Sequence, residues 1–211
     1  MADYAALKEA VITGKAARVK ELTQQAISEG KPAQEILDQA LIPAMDVVGE
    51  KFSCAEFYIP EMLIAARAMQ AGVALLAPRL AEAGAKARGK VVIGTVKGDL
   101  HDIGKNMVGM MLKGSGFEVV DLGADVKPER FVDAVQAEKP DFVMMSALLT
   151  TTMLVMRETI QLLKSAGLRE TVRVGVGGAP VTQRFAEEIG ADFYAPTATG
   201  GVAKAREFLH A

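Results

Sequence analysis

Residues 90–106, KVVIGTVKGDLHDIGKN, place a histidine between a buried strand and a helix. The run from Val91 to Val96 is short and apolar, which is typical of a buried strand. The run from Met107 to Leu112 has the composition of the opening of a helix. We therefore expect His101 at the carboxyl edge of an α/β sheet, where such folds bind their ligands.

An aspartate, Asp99, precedes this histidine by two residues. A carboxylate at this spacing can accept a hydrogen bond from one ring nitrogen, which fixes the tautomer and leaves the other nitrogen free to bind a metal. The pattern Asp-x-His-x-x-Gly has only three fixed positions, so alone it favours a surface-loop histidine followed by a glycine at a helix start. Other segments of the chain are therefore needed to distinguish a metal-binding histidine from a surface-loop histidine.

Length, charge and cysteine content exclude several classes of protein. With 211 residues, 50% of them hydrophobic and 24% charged, the chain can form one large or two modest domains. The net charge of -2, without a Lys or Arg run, gives no basis for binding nucleic acid or an acidic membrane surface.

We expect no apolar stretch to reach the ~18 to 20 residues of a membrane helix. The single Cys54 excludes an internal disulfide, and we expect a cytoplasmic protein without a signal peptide.

The first part of the chain, residues 1–88, is predicted to be a helical domain. It contains no strand-like segment, and its apolar residues recur at helical spacing. Gly14 and the Gly-Lys-Pro sequence at 30–32 interrupt the pattern, and a last helix is expected from Tyr58 or Ile59 to Leu80. We predict a four-helix bundle, followed by a small, glycine-containing linker at 81–89.

The second part, residues 89–211, alternates between strand-like and helix-like segments. Five helical segments are expected near 104–114, 128–138, 151–166, 181–189 and 199–209. They alternate with five short apolar runs, at 91–96, 117–120, 142–145, 172–176 and 192–194. Each parallel connection needs a crossover helix, so this alternation predicts a Rossmann-like (flavodoxin-like), doubly wound, five-stranded parallel sheet.

Polar and glycine residues follow the third and fourth predicted strands. Ser146 to Thr152 comes after one strand, and Gly177-Gly178 comes after the next. Hydroxyl groups can bond a ligand, and paired glycines let a planar group approach the backbone, although they also fit a plain tight turn. One of the threonines at 150–152 is expected to cap the following helix. If the topology is as predicted, both segments lie beside the His101 loop.

The elements Asp99-x-His101-x-x-Gly104, Ser146-x-Leu148 and Gly177-Gly178 together resemble the signature of methionine-synthase-type cobalamin-binding domains. In that family the histidine replaces the cofactor's benzimidazole as the lower cobalt ligand. The resemblance implies this role for His101, a bond from Ser146 to the nucleotide tail, packing of Leu148 on it, and Gly177 and Gly178 beside the buried base. It also implies that the Thr152 hydroxyl completes the Asp99–His101 chain. The further cofactor-binding residues implied are Gly98, Leu100, Asp102, Ile103, Gly104, Thr150, Tyr194 and Ala198.

Residues 49–62, GEKFSCAEFYIPEM, resemble the cap of methionine synthase and of corrinoid methyl carriers. The resemblance implies an apolar roof over the upper corrin face, formed by Phe52, Tyr58, Ile59 and Met62. An ordinary interhelical loop is the alternative. Ala55 replaces a glycine that is frequent in the family, and Tyr58-Ile59 replaces Phe-Leu. Cys54 is either a soft ligand at the upper cobalt face or a small loop residue, and we favour the second interpretation.

A helical bundle joined to a cobalamin domain, with no catalytic barrel, resembles the methyltransferase cognate corrinoid proteins of anaerobic methyltransferase systems. The resemblance implies cobalamin or a related corrinoid as cofactor, with methylcobalamin as the loaded state. A donor-specific methyltransferase would load the cobalt, an acceptor methyltransferase would unload it, and a reductive activase would be a third partner. Such a chain is not an enzyme on its own.

Three alternatives belong to other classes of protein. A radical mutase subunit shares the second domain but pairs with a barrel. A light-sensing, cobalamin-dependent regulator shares both halves but keeps Trp and His in its bundle, whereas this chain has no Trp and only His101 and His210. A cofactor-free α/β domain is the third. The methyl donor, whether methanol, a methylamine, a betaine or a methoxyaromatic, stays open from the sequence.

Overall fold

The computed structural model describes residues 3–83 and 87–209. Backbone proximity divides the chain into two units, residues 1–86 with 114–116 and residues 87–113 with 117–211. His210 and part of the predicted linker, residues 84–86, lie outside the described residues. The linker prediction is wrong at its start, because residues 81 and 82 still belong to a helix.

The described part of the first unit is helical. Its elements are α1 (Tyr4–Ile12), α2 (Ala16–Ser28), α3 (Ala33–Ile36), a π-helical turn (Leu37–Leu41), α4 (Ile42–Ser53) and α5 (Ile59–Glu82). Helix α3, the π-helical turn and α4 follow one another without a break, so the described residues form four helical stretches. The predicted helical bundle is confirmed, and its last helix begins at one of the two expected residues.

Helix α5 is the most apolar element of the first unit. The most apolar 18 residues of its segment Ile59–Leu80 have a mean hydropathy of 1.3, and the segment is long enough to cross a membrane. The expectation that no apolar stretch reaches this length is therefore wrong. Within its unit, however, α5 packs against α1, α2 and α4. Six of its side chains are buried, namely Met62, Ala65, Ala66, Ala68, Met69 and Leu76. The core helix of a bundle has the same composition as a membrane span, so this helix is weak support for a membrane location.

The second unit contains a parallel sheet. Its strands are β1 (Lys90–Thr95), β2 (Glu118–Asp121), β3 (Phe142–Ser146), β4 (Arg173–Gly177) and β5 (Phe193–Tyr194), in the order β2-β1-β3-β4-β5. All four pairings are parallel. The predicted fold class is confirmed. The chain leaves β1 and β3 toward different edges of the sheet, which creates the crevice where such folds bind ligands.

Helices connect these strands: α6 (Ile103–Gly114), α7 (Pro128–Glu138), α8 (Leu154–Ser165), α9 (Gln183–Ile189) and α10 (Ala198–Leu209). Alternate strand residues, such as Val92, Val143 and Val174, share one core with residues of α7, α8 and α9. Helix α6 begins at Ile103, one residue before the expected segment 104–114. Gly104 and Lys105 therefore lie in the first helical turn and not in the preceding loop.

Candidate functional site

The loop that carries His101 runs from the end of β1 to the start of α6. Its turn depends on Gly98, whose φ of +80° lies in the left-handed region that favours glycine. The Asp99 N–H closes this turn by donating to the Val96 carbonyl at 3.1 Å. The turn thus brings Asp99 back toward the end of β1.

His101 and Asp99 form the predicted pair. The ring Nδ1 lies 2.8 Å from Asp99 Oδ1, and the histidine side chain is 54% exposed. A carboxylate only accepts, so a proton sits on Nδ1, and in the neutral ring the lone pair is then on Nε2. In the part of the chain that the structure describes, no group hydrogen-bonds Nε2. This nitrogen is free to bind a metal ion.

Asp99 is completely buried and is surrounded by donors. Its Oδ1 also accepts the His101 backbone N–H at 3.1 Å. Its Oδ2 accepts the backbone N–H groups of Leu148 at 2.7 Å and Leu149 at 3.3 Å, and the Thr152 hydroxyl at 2.7 Å. Burial raises the pKa of Asp99, but the hydrogen bonds from Leu148, Thr152 and His101 outweigh it and hold the pKa well below its usual range. Asp99 is therefore an ionised, fixed acceptor for the histidine ring.

The loops after β1, β3 and β4 lie side by side. The Val96 N–H donates to the Ser146 carbonyl at 3.0 Å, and the Ala147 N–H donates to the Gly177 carbonyl at 3.2 Å. At Gly178, where φ is +122°, an added Cβ would lie 1.8 Å from the Ala147 carbonyl oxygen. The glycine at 178 is thus required by the close approach of two backbone segments, whatever ligand lies beside it.

Two cavities adjoin at this edge of the sheet. The first, of about 350 Å³, surrounds the histidine and is lined by Leu100 to Gly104, Ser146 to Leu148, Gly178 and Ala179. The second, of about 370 Å³, extends along the sheet over Ile93, Met144 and Gly175. Residues of α6, α10 and the β5–α10 loop complete its wall, among them Gly104, Lys105, Met107, Val108, Tyr194 to Ala198 and Gly201. Gly104, Ser146, Gly178 and Ala179 line both. A broad site at the histidine therefore continues into a mostly apolar slot.

The structure brings together most of the predicted binding residues. The two cavities are lined by Leu100, His101, Asp102, Ile103, Gly104, Ser146, Leu148, Gly177, Gly178, Tyr194 and Ala198. Gly98, Asp99 and Thr152 support the histidine loop from behind. Thr150 is exposed and lines neither cavity. The capping expectation is wrong, because the residue before α8 is Met153, which makes no side-chain cap.

The predicted roof residues differ in accessibility. Tyr58 and Ile59 are exposed and Phe52 is half-buried, whereas Met62 is completely buried. Leu63 and Ile64, which the sequence did not single out, are exposed instead. Cys54 is an exposed free thiol at the end of α4. The roles of the roof residues toward a cofactor stay predictions.

Sequence reasoning missed two further contacts of the histidine loop. The buried Lys105 binds both carboxylate oxygens of Asp121, at 2.6 and 2.5 Å. Asp125 accepts the Gly98 N–H at 2.7 Å. Asp121 is the last residue of β2, the neighbour of β1, and Asp125 lies in the loop after it, so their position at the same sheet edge was the available signal.

A family model described as B12 binding domain matches residues 89–203, and a second model with the same description matches residues 4–77. The fold is thus that of a B12-binding protein, and the predicted cofactor class, cobalamin or a related corrinoid, is confirmed.

Individual proteins match over nearly the whole chain. A corrinoid protein from Desulfitobacterium hafniense (strain Y51) is 42% identical over 206 residues, which are 96% of this chain and 95% of the relative. Dimethylamine corrinoid protein 3 from Methanosarcina acetivorans is 44% identical over 201 residues, with coverage of 95% and 94%. The methanol:cobalamin methyltransferase complex MtaBC from Methanosarcina barkeri contains a chain with a TM-score of 0.87 and 33% identity, with coverage of 97% of this chain and 78% of that one. This chain belongs to the corrinoid protein family.

Proposed function

We propose that this chain is the methyl carrier of a multi-component methyltransferase system. It accepts a methyl group from a donor-specific methyltransferase and passes it to an acceptor methyltransferase. The observation that carries the proposal is the His101–Asp99 pair, with Nε2 free and with His101 lining the first of two adjoining cavities. Full-length matches to corrinoid proteins favour a carrier over a mutase subunit or a sensor.

The residues at the site fit a corrinoid. A large planar ring needs a neutral nitrogen below its metal and an apolar surface around that nitrogen. His101 supplies the nitrogen, and three apolar side chains beside it are exposed: Leu100 by 76%, Ile103 by 70% and Leu148 by 43%. Exposed apolar side chains that cluster in this way mark a surface that a ligand or partner covers. The slot beyond Ser146 can take the extended tail of the cofactor.

Each residue then has a defined task. A bound corrinoid supplies a cobalt ion that accepts and releases the methyl group. His101 would hold that cobalt through Nε2, while Asp99 keeps a proton on Nδ1 and orients the ring. Leu100, Ile103 and Leu148 would exclude water from the lower side of the ring. The Ser146 hydroxyl, between the two cavities, can donate a hydrogen bond to the tail.

The partners follow from the same proposal. The chain would act only with methyltransferases, and a reductive activase would restore the cobalt after accidental oxidation. Several different methylated compounds occur in the names of the similar proteins, among them dimethylamine, trimethylamine and methanol. We therefore propose that the partner enzyme, rather than this chain, selects the donor, and that the system works in the cytoplasm.

The test is the ligand of the metal. The purified chain is reconstituted with hydroxocobalamin and reduced to Co(II), and electron paramagnetic resonance records nitrogen coupling to cobalt. Labelling the histidines with ¹⁵N identifies the source of that nitrogen. We expect His101→Ala to lose the histidine signal and His210→Ala, at the only other histidine in the sequence, to keep it. A histidine signal that persists in His101→Ala would refute the proposed ligand.

The partner is tested separately. Tagged chain is recovered from cells grown on methanol, on a methylamine or on a methoxyaromatic compound. We expect a different methyltransferase to co-purify in each case. Recovery of one barrel-type mutase under all conditions would contradict the methyl-carrier function.

A further inference from the structure

The backbone of the histidine loop is held from behind by residues 121–126, which comprise the last residue of β2 and the loop that follows it. Leu122 N–H donates to the Ile93 carbonyl at 2.8 Å, and Thr95 N–H donates to the Gly123 carbonyl at 2.9 Å. Val126 N–H in turn donates a hydrogen bond to the Thr95 carbonyl at 3.0 Å. The segment therefore extends the pairing of β2 with β1 beyond the strands and ends directly beside the loop.

Asp125 makes two bonds from this segment to adjacent residues of the loop. Its Oδ1 accepts the Gly98 N–H at 2.7 Å, and its own N–H donates to the Asp99 carbonyl at 3.0 Å. The two bonds run in opposite directions and bracket the Gly98–Asp99 peptide. The two bonded groups belong to the peptide units on either side of the Gly98–Asp99 bond, so the pair fixes the position of this dipeptide, and Asp99 is the residue that orients His101.

The backbone of Asp125 is itself unusual. Its φ of 55° lies in the left-handed region, where only Ala55 and Lys139 join it among the non-glycine residues that the structure describes. Asp and Asn tolerate this conformation better than most residues, but it still costs about 1 kcal/mol or more. Here it aims the carboxylate and the N–H at the same dipeptide.

A second contact from the same segment reaches the other end of the loop. Asp121 binds the buried Lys105 in the first turn of α6, and its Oδ1 also accepts the Gly123 N–H at 2.9 Å. Lys105 also donates to Asn106 Oδ1 at 2.6 Å, and Asn106 donates to Asp102 Oδ2 at 2.9 Å. The segment thus contacts the loop before Asp99 and the helix after His101.

We infer that Asp125 is a positioning residue for the cobalt ligand: it fixes the Gly98–Asp99 peptide, so that the Asp99 carboxylate holds the His101 ring ready for the metal. This inference rests on the proposed role of His101. Asp125 does not touch the cofactor site and acts through the loop alone.

The experiment compares variants that share the left-handed conformation. Asp125→Gly removes the carboxylate without adding strain, whereas Asp125→Asn keeps an acceptor oxygen and tolerates the same φ. Lys139→Gly, at a left-handed position at the end of α7, controls for the general effect of a new glycine. The first measurement is amide hydrogen exchange in the cofactor-free chain. The second is the fraction of Co(II) with histidine nitrogen coupling after reconstitution.

We expect the Gly98 amide of the wild type to be protected although the residue is exposed. Asp125→Gly should speed its exchange by about tenfold, the loss expected for one hydrogen bond to a charged group. It should also reduce the histidine-ligated fraction or weaken corrinoid affinity by about tenfold, as other changes behind a metal ligand do. In Asp125→Asn, both the exchange rate of the Gly98 amide and the histidine-ligated fraction should stay near the wild-type values. Lys139→Gly should change neither quantity.

Two results would overturn the inference. One is an unprotected Gly98 amide in the wild type, which needs no variant to fold. The other is full histidine ligation in a folded Asp125→Gly chain. If Asp125→Gly does not fold, wild-type and Asp125→Asn exchange decide the question. A failure of the proposed function would give a different result: the wild type would show no histidine nitrogen coupling to Co(II), while its Gly98 amide would still be protected.

Discussion

The Thr152 hydroxyl donates to Asp99 Oδ2 at 2.7 Å although 53 residues separate the two in the sequence. This bond ties the β3–α8 loop to the histidine loop and completes a chain from Thr152 through Asp99 to His101. The same hydroxyl oxygen lies 2.9 Å from the Leu149 carbonyl. The hydroxyl has one proton to donate. A hydrogen bond to a charged carboxylate is stronger than one to a neutral carbonyl, so the proton is donated to Asp99.

Thr152→Val should weaken this chain without changing the shape of the buried side chain. The loss of one donor to a buried charge should lower the free energy of unfolding by about 1.5–3 kcal/mol and raise the pKa of Asp99 toward its ordinary range. Corrinoid affinity should fall by about 10- to 100-fold. Urea unfolding of the cofactor-free chain and equilibrium binding measure the two effects. Thr152→Ser keeps the hydroxyl and Thr151→Val lies at an exposed neighbour, so a similar loss in either would contradict this explanation.

The two adjacent glycines after β4 should respond differently to alanine. At Gly178, the new Cβ meets the Ala147 carbonyl oxygen at 1.8 Å and φ is +122°, so the backbone must move. At Gly177, the nearest atom is the Ala195 carbonyl oxygen at 3.1 Å, which a small shift relieves. We expect Gly178→Ala to lower the free energy of unfolding by about 3 kcal/mol or more and Gly177→Ala to cost clearly less. Equal costs in urea unfolding would show that the close approach to Ala147 is relaxed in solution.

Hydrophobic periodicity predicts the elements of the second unit well because each strand is a short apolar run between polar turns. Strand β3 is expected at 142–145 and occupies Phe142–Ser146. The helix expected at 104–114 begins one residue earlier, at Ile103, and its first turn contains Gly104, Lys105 and Asn106, which carry no apolar signal. Helix termini of this kind depend on backbone hydrogen bonds, here from the Asn106 N–H to the Asp102 carbonyl, that no spacing rule reveals.

A contact in the site can be predicted from the sequence where both of the residues that form it belong to one short motif. The Asp99–His101 bond joins residues two positions apart, and the fold only has to preserve it. The bonds of Asp121 and Asp125 depend on the register of β2 against β1 and on a left-handed backbone at 125. The sequence shows these aspartates only as polar residues after a strand, so their partners become visible only with the structure.

Tyr4 should make stability depend on pH in the alkaline range. Its hydroxyl donates to Glu35 Oε1 at 2.8 Å, and burial together with this carboxylate raises its pKa from 10.0 to about 12. The unfolded chain therefore loses the phenol proton first. The stabilisation by Tyr4 is complete below pH 10 and is lost as the pH rises toward 12. The difference in unfolding free energy between wild type and Tyr4→Phe should shrink over this interval, and Glu35→Gln should reduce its pH dependence. A constant difference in urea unfolding from pH 8 to 12 would contradict the assignment.

Ala55 is the position where the chain departs from the glycine frequent in the cap that it resembles, and its backbone gives a physical reason to expect glycine there. Its φ is 57°, a left-handed conformation that costs a residue with a Cβ about 1–2 kcal/mol. Glycine removes this strain but adds about 0.5–1 kcal/mol of backbone entropy to the unfolded chain. The strain outweighs the entropy, so Ala55→Gly should raise the free energy of unfolding by about 0.5–1 kcal/mol. Ala74→Gly, at an exposed position inside α5, lacks the strain and should instead lower it by about 1 kcal/mol. Thermal and urea unfolding of the two variants measure the opposite signs, and a loss of stability in both would show that the backbone at residue 55 is not left-handed in solution.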